Sequence, residues 1–163
     1  MQPLEGIRVV DFSTLLPGPL ATLLLAEAGA EVIKIERPER GDEMRSYAPK
    51  FGGASVNFAL LNRGKRSIAL DLKDSDAMAE LKRLIESADV VVEQFRPGVM
   101  DRLGLGYEAL SAIIRGSSTV RSPATGSKVR APRSPRTILI TSPKPVCWRS
   151  RRVPTARRSC RRR

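Results

Sequence analysis

Ile7-Arg8-Val9-Val10-Asp11-Phe12, Leu20-Ala21-Thr22-Leu23-Leu24-Leu25-Ala26-Glu27-Ala28 and Glu31-Val32-Ile33-Lys34-Ile35-Glu36 together decide the fold. The first and third are short β-branched runs and read as buried strands. The middle one is rich in Leu and Ala and stops at Gly29, as a helix with a glycine terminator does. Pro17-Gly18-Pro19 breaks the chain between the first strand and that helix. Strand, helix and strand within about thirty residues make a βαβ unit, which favours a right-handed parallel crossover.

The rest of the first two thirds repeats this alternation. Residues 37–53 are polar, with Pro and Gly, and read as a loop. Residues 55–61 suit a helical turn and 66–72 a strand. From Asp74 to Ser87, Met78, Leu81, Leu84 and Ile85 share one face opposite a charged face, which predicts an amphipathic helix capped by Asp74 or Ser75. Ala88-Asp89-Val90-Val91-Val92-Glu93 is another buried strand. Two short helices follow, over 97–103 and 107–113, separated by Gly104 and Gly106. The class is α/β with a mainly parallel sheet.

After Ile113 the pattern collapses. Six of the 12 prolines fall in the last fifty residues, and no periodicity persists. Thr137-Ile138-Leu139-Ile140-Thr141 has strand character but no evident partner, and disorder is expected there. The charge divides at the same place. Residues 1–113 carry 14 basic and 17 acidic side chains, a net −3, whereas 114–163 carry 15 basic and no acidic ones, +15. Their sum is the net +12 of the 163-residue chain. Such asymmetry ordinarily suggests a nucleic-acid-binding or membrane-surface tail. Only Trp148 is aromatic in the tail, and no groove-binding motif is present, which disfavours nucleic acid as a partner. No run approaches the ~18 apolar residues of a membrane span. The start has no signal-peptide pattern, so the expected location is the cytoplasm. Cys147 and Cys160 match no metal-ligand spacing, so no metal and no disulfide are expected. With no His, the chain as translated cannot perform histidine acid–base chemistry.

Three motifs lie where open α/β sheets bind ligands, or carry suitable charge. Leu16-Pro17-Gly18-Pro19 follows the first strand and would let a ligand approach a helix N-terminus, but it lacks the dinucleotide fingerprint and is equally an ordinary βα turn. Asn62-Arg63-Gly64-Lys65-Arg66-Ser67 gathers three cations suited to phosphate, or is simply a solvated basic turn. Phe95-Arg96-Pro97-Gly98-Val99-Met100 follows the fourth strand, where Arg96 or Arg102 faces a ligand or pairs with a nearby acid. Asp11, Glu36 and Glu93 end strands, but nothing in their spacing brings them together as a catalytic pair.

In order and spacing these segments resemble the N-terminal part of the family III CoA-transferases. Leu4 to Asp11, Pro17-Gly18-Pro19, Leu25 to Glu36, Asn62 to Ser67, Leu70-Asp71-Leu72-Lys73, Ala88 to Glu93 and Phe95 to Gly106 carry the match, which runs from Met1 to about Ile113. The family includes formyl-CoA transferase, carnitine CoA-transferase and α-methylacyl-CoA racemase. The resemblance implies a Rossmann-like large domain that takes coenzyme A or an acyl-CoA as substrate, and an interlocked homodimer. It places Arg37, Arg63, Lys65 and Arg66 at the CoA phosphates and ribose. Leu72 and Lys73 would lie by the adenine, and Arg102 by the pantetheine or acyl region. Residues 1–113 would be the CoA-binding part and 114–163 a separate basic tail.

The tail departs from the family until the genetic code is considered. Codons permitted for Ile114 to Gly126, read one base earlier, give Asn-Pro-Arg-Leu-Val-Tyr-Cys-Ser-Ile-Thr-Gly-Tyr-Gly, which resembles the family's continuation. The same offset over Thr137 to Arg149 gives a His-Asp-x-Asp/Asn-Tyr-Leu segment like that of the racemase-like branch. The expectation is a frameshift near Ile113–Ile114, with a truncated product. The family's catalytic His would stand where Thr137 is translated, and its Asp would fall beyond Arg163. No catalytic residue is therefore assigned, and the 163-residue chain is expected to be inactive.

Overall fold

The computed structural model describes residues 2–96, 98–113, 117–122 and 136–141. Strand β1 (Arg8–Asp11) leads into helix α1 (Pro17–Glu27) and strand β2 (Glu31–Glu36). A 3-10 turn over Glu43–Ser46 precedes a small antiparallel hairpin, β3 (Lys50–Phe51) and β4 (Ala54–Ser55), and helix α2 (Val56–Asn62). Then come β5 (Arg66–Ala69), α3 (Ser75–Glu86), β6 (Val90–Glu93), α4 (Val99–Arg102) and α5 (Tyr107–Ile113). Two further strands, β7 (Ser117–Ser122) and β8 (Arg136–Thr141), complete the described elements.

The main sheet runs β5-β2-β1-β6-β8-β7 and every pairing in it is parallel. The chain moves outward from β1 through β2 to β5, then returns to lay β6 on the other side of β1. This reversal puts a crevice at the carboxyl ends of β1 and β6, where such sheets hold ligands. Register fixes the sheet faces. Val9, Val32 and Val92 form one apolar cluster, joined by Leu25 and Ala26 of α1. Val10, Ile33, Ile35 and Val91 form the other, against Leu81 and Ile85 of α3 and Leu110 of α5. Leu81 and Ile85 are fully buried, which accounts for the apolar stripe of α3, and burial of each contributes about 2 kcal/mol. The Asp74 carboxylate caps that helix by accepting from the Asp76 amide at 3.2 Å.

Several boundaries move from their expected places. Helix α1 begins at Pro17, so Pro17-Gly18-Pro19 is the first helical turn and not a break before it. Proline is tolerated there because the first N–H groups of a helix have no intrahelical partner. The loop expected over 37–53 contains the 3-10 turn and strand β3. The strand expected over 66–72 ends at Ala69. In the tail, where disorder is expected, Arg136–Thr141 is instead a strand with a partner: Val90↔Thr137 through Glu93↔Ile140 pair β6 with β8. A β-branched run pairs readily along a strand such as Val90-Val91-Val92. Residues 117–122 are a strand as well. The remaining tail residues, for which disorder is expected, lie outside the described residues. Among the described residues no helix is long and apolar enough to cross a membrane.

Candidate functional site

At the carboxyl ends of β1, β2, β5 and β6 lies a cavity of about 260 Å³. Its walls are largely apolar: Phe12, Ile35, Leu70, Leu72 and Phe95. Thr14, Glu36, Arg37, Gly41 and Asp42 supply its polar side. A more open cavity of about 290 Å³ adjoins it across Glu36, Arg37 and Gly41, and is bordered by Glu39, Arg40, Arg45 and Ser67. An apolar slot beside a rim that carries Arg37 and Arg40 suits a planar heterocycle carrying phosphates.

Each wall is held by specific bonds. Glu36 ends β2 with its side chain almost entirely buried. Arg45 donates to it bidentately, Nε to Oε2 and Nη2 to Oε1, both at 2.7 Å. Ser67 Oγ donates at 2.5 Å and the Asp42 amide at 2.8 Å. Burial alone would raise the Glu36 pKa, but Arg45, Ser67 and the Asp42 amide outweigh it and hold the carboxyl at about 2, below its ordinary 4.5. The Arg45 guanidinium also stacks over the Phe58 ring, 3.8 Å from its centroid, which ties α2 to the 3-10 turn.

On the other side of the crevice, Gly18 approaches the β1–α1 turn so closely that a Cβ there would lie 2.1 Å from Ser13 Cβ and 2.7 Å from Gln94 Oε1. Only glycine fits. Gln94 Nε2 donates to the Thr14 carbonyl at 2.5 Å and lies 3.1 Å from Thr14 Oγ1, which fixes the Thr14 wall to the end of β6. Leu15 follows with φ of +62°, the left-handed region that a side chain rarely adopts.

Beneath the crevice lies a buried charged layer. Asp11 Oδ1 accepts from the Ser13 amide at 2.8 Å and from Ser13 Oγ. Asp11 Oδ2 accepts from Thr22 Oγ1 at 2.5 Å and lies 3.4 Å from Lys65 Nζ. The Lys65 ammonium also donates to Thr22 Oγ1 at 2.7 Å, the Pro19 carbonyl at 2.9 Å and Asn62 Oδ1 at 3.0 Å. Burial lowers the Lys65 pKa to about 8, opposed by the Asp11 carboxylate, with Lys34 adding to the lowering. Lys34, in the middle of β2, donates to the Ser13 carbonyl at 2.6 Å and pairs with Asp42 Oδ2 at 2.9 Å.

The structure brings together only some of the residues singled out in the sequence. Arg37 and Leu72 line the cavity. Lys73 is exposed beside Leu72, with its amide donating to Asp71 Oδ1. Lys65 is inside the fold, its side chain 1% exposed, and does not face solvent. Arg66 opens β5 at that strand's amino end, level with Ile33, and its 76% exposed side chain pairs with Glu31 at 2.9 Å. Arg63 pairs with Glu27 at the end of α1. Arg102 lies exposed on α4 and lines neither cavity. Asp11, Glu36 and Glu93 are all structural in their bonding. Asp11 and Glu36 are bonded as above, and Glu93 Oε2 accepts from the Phe95 amide at 2.6 Å. Among the described residues no group of three or more His, Cys, Asp or Glu is placed to hold a metal.

The sequence of residues 4–115 matches the model of CoA-transferase family III. The chain belongs to CoA-transferase family III. Acetyl-CoA:oxalate CoA-transferase of Acetobacter aceti is 48% identical to it over 111 residues, which is 68% of this chain and 28% of that protein. The human succinyl-CoA:glutarate CoA-transferase is 43% identical over 114 residues, 69% of this chain and 26% of that protein. Among solved structures, a CAIB/BAIF family protein from Brucella suis superposes with a TM-score of 0.68 at 38% identity, over 77% of this chain and 35% of that one. A hypothetical protein from Mycobacterium tuberculosis superposes with a TM-score of 0.67 at 36% identity, over 84% of this chain and 37% of that one. This family III chain thus spans little more than a quarter of the length of these curated relatives.

Proposed function

We propose that this chain supplies the coenzyme A-binding part of a family III CoA-transferase. The observation that carries this reading is the apolar slot with Arg37 in its wall and Arg40 in the cavity that adjoins it, set at the carboxyl ends of four parallel strands. Adenine would lie between the apolar walls, with Leu72 and Lys73 at its edge. Arg37 and Arg40 would meet the phosphates, since guanidinium forks match phosphate oxygens. Of the other cations that the family resemblance assigns to CoA, Arg102 would have to act on the acyl arm. Arg63 and Arg66 line neither cavity and pair with Glu27 and Glu31, and Lys65 is buried against Asp11.

The reaction proposed for the family site is exchange of CoA between two carboxylic acids. The oxalate and glutarate of the relatives' names favour a dicarboxylate as one of them. In that chemistry an Asp nucleophile takes the acyl group as a mixed anhydride and then passes through an enzyme–CoA thioester. Among the described residues, the carboxylates that line the apolar slot, Glu36 and Asp42, are both paired with cations, and neither is free for this role. The 163-residue polypeptide is therefore proposed to bind CoA without turnover. A second reading, epimerisation of a 2-methylacyl-CoA, is favoured by the His-Asp segment that a one-base shift restores at Thr137. The frameshift itself is proposed on the same codon argument. The basic tail is proposed to have no nucleic-acid role. An interlocked homodimer is proposed for full-length relatives only.

Titration calorimetry of the 163-residue chain tests the binding. CoA is expected to bind, dephospho-CoA more weakly, and Arg37→Ala to weaken CoA by about tenfold, the worth of one charge-assisted pair at ~1.5 kcal/mol. Equal heats for wild type and Arg37→Ala would remove the assignment. Appearance of a new thioester from acetyl-CoA and oxalate would overturn the proposed inactivity. Resequencing across the codons for Ile113 and Ile114, with mass spectrometry of the tail, decides the frameshift.

A further inference from the structure

The two walls of the ligand cavity come from different segments. Thr14 belongs to the β1–α1 turn, whereas Arg37, Gly41 and Asp42 belong to the segment after β2. One side chain spans between them. Lys34 rises from the centre of β2, 1% exposed, and its ammonium donates to the Ser13 carbonyl at 2.6 Å on one side while pairing with Asp42 Oδ2 at 2.9 Å on the other. Asp42 passes the constraint on. Its Oδ1 accepts from the Met44 amide at 2.9 Å and from the Leu15 amide at 3.4 Å, and its own amide donates to Glu36. Asp42 Oδ2 has no well-angled hydrogen bond besides this ion pair, so the Lys34 ammonium is the cation in direct contact with it, while Lys65 and Arg45 act on Asp42 from farther away. A lysine in the interior of a parallel strand is costly to bury unless every donor is used. An apolar side chain there would fill the same space but could not hold the Ser13 carbonyl and Asp42 at a set separation.

We propose that Lys34 is a positioning residue that sets the width of the coenzyme cavity by bridging its two walls. It touches no ligand and acts only through the Ser13 carbonyl and Asp42. The consequence for affinity rests on the CoA reading above; the bridging does not.

The test uses the full 163-residue chain and two variants. Lys34→Met keeps the stem and removes the ammonium. The double variant Lys34→Met with Asp42→Asn also removes the carboxylate charge left without its contacting cation, and keeps an oxygen for the Met44 amide. Amide hydrogen exchange is read by segment, alongside the urea midpoint and the dissociation constant for CoA. In the double variant, exchange is expected to rise tenfold or more in 12–16 and 37–42 but to stay unchanged in α3 and β6, and CoA to bind about tenfold more weakly. Unchanged exchange in 12–16 and 37–42 would overturn the bridge, as would acceleration spread evenly over the fold, which marks only lost stability. If wild type binds no CoA, the CoA reading fails while the exchange pattern still decides the bridge. If the double variant loosens both walls yet binds CoA as wild type does, the control of cavity width is overturned.

Discussion

Replacing Glu36 by Gln should lower stability by an amount that depends on pH in a predictable direction. The carboxyl titrates at about 2 in the folded chain against an ordinary 4.5, a difference of about 2.5 units and hence ~3 kcal/mol. Arg45, its main partner, is half exposed, so water screens part of this, and ~2 kcal/mol is the better figure. A group with a depressed folded pKa contributes stability above its unfolded pKa and loses it as pH falls through the folded one. Wild type should therefore be ~2 kcal/mol more stable than Glu36→Gln at pH 7. The gap should start to close near pH 5 and be nearly gone at pH 2. Urea unfolding of both proteins at pH 7, 5, 4 and 2.5 measures it, with midpoint differences converted at a common slope. A gap that stayed the same at pH 7 and pH 2.5 would refute the reasoning, because it would mean that shape and not charge made the difference.

Gly18→Ala places a Cβ 2.1 Å from Ser13 Cβ, so the turn must move, and a loss of about 2–3 kcal/mol is expected in the same urea assay. Lys65 has the opposite linkage from Glu36. Its folded pKa is near 8 against 10.5, so the cost of burying its charge is present below pH 8 and is relieved as pH rises towards 10.5. Wild type should gain stability between pH 8 and 10 relative to Lys65→Met, and parallel curves over that range would count against it. Arg66→Ala, at the far end of β5 and 76% exposed, should leave CoA affinity within about twofold and stability within ~0.5 kcal/mol, as calorimetry and urea unfolding would show.

Much of the fold is legible from hydrophobic period alone. β1, β2 and β6 are β-branched runs, and α3 shows its buried Leu81 and Ile85 in its spacing. The hairpin of β3 and β4 is not legible, because two residues per strand are too few to set a period. The pairing of β8 with β6 is not legible either, since it joins segments more than forty positions apart and is decided by which sheet edge is vacant. At the site, Arg37 and Leu72 line the cavity, at the end of β2 and just after β5. The basic turn does not stay together. Arg63, Lys65 and Arg66 are adjacent in sequence, but Lys65 turns into the fold while the other two pair outward with Glu27 and Glu31. Glu36 and Arg45 are nine positions apart across a loop, which no local rule connects. A signal for Lys34 was present. In the run Glu31-Val32-Ile33-Lys34-Ile35-Glu36 the apolar residues fall on both faces, which marks a strand covered on both sides. A lysine within such a strand has to be buried and partnered.

The place of β8 against β6 has one more implication. Val90 to Glu93 meet Thr137 to Ile140 through main-chain N–H and C=O groups, which are the same in every residue but proline. A change of reading frame rewrites every side chain and leaves those groups untouched. If the tail is such a rewritten text, the sheet would be a place where a protein tolerates nonsense: an open strand edge accepts any extended, proline-free passage and does not check its meaning. The two passages of the tail that became strands, Ser117–Ser122 and Arg136–Thr141, contain no proline.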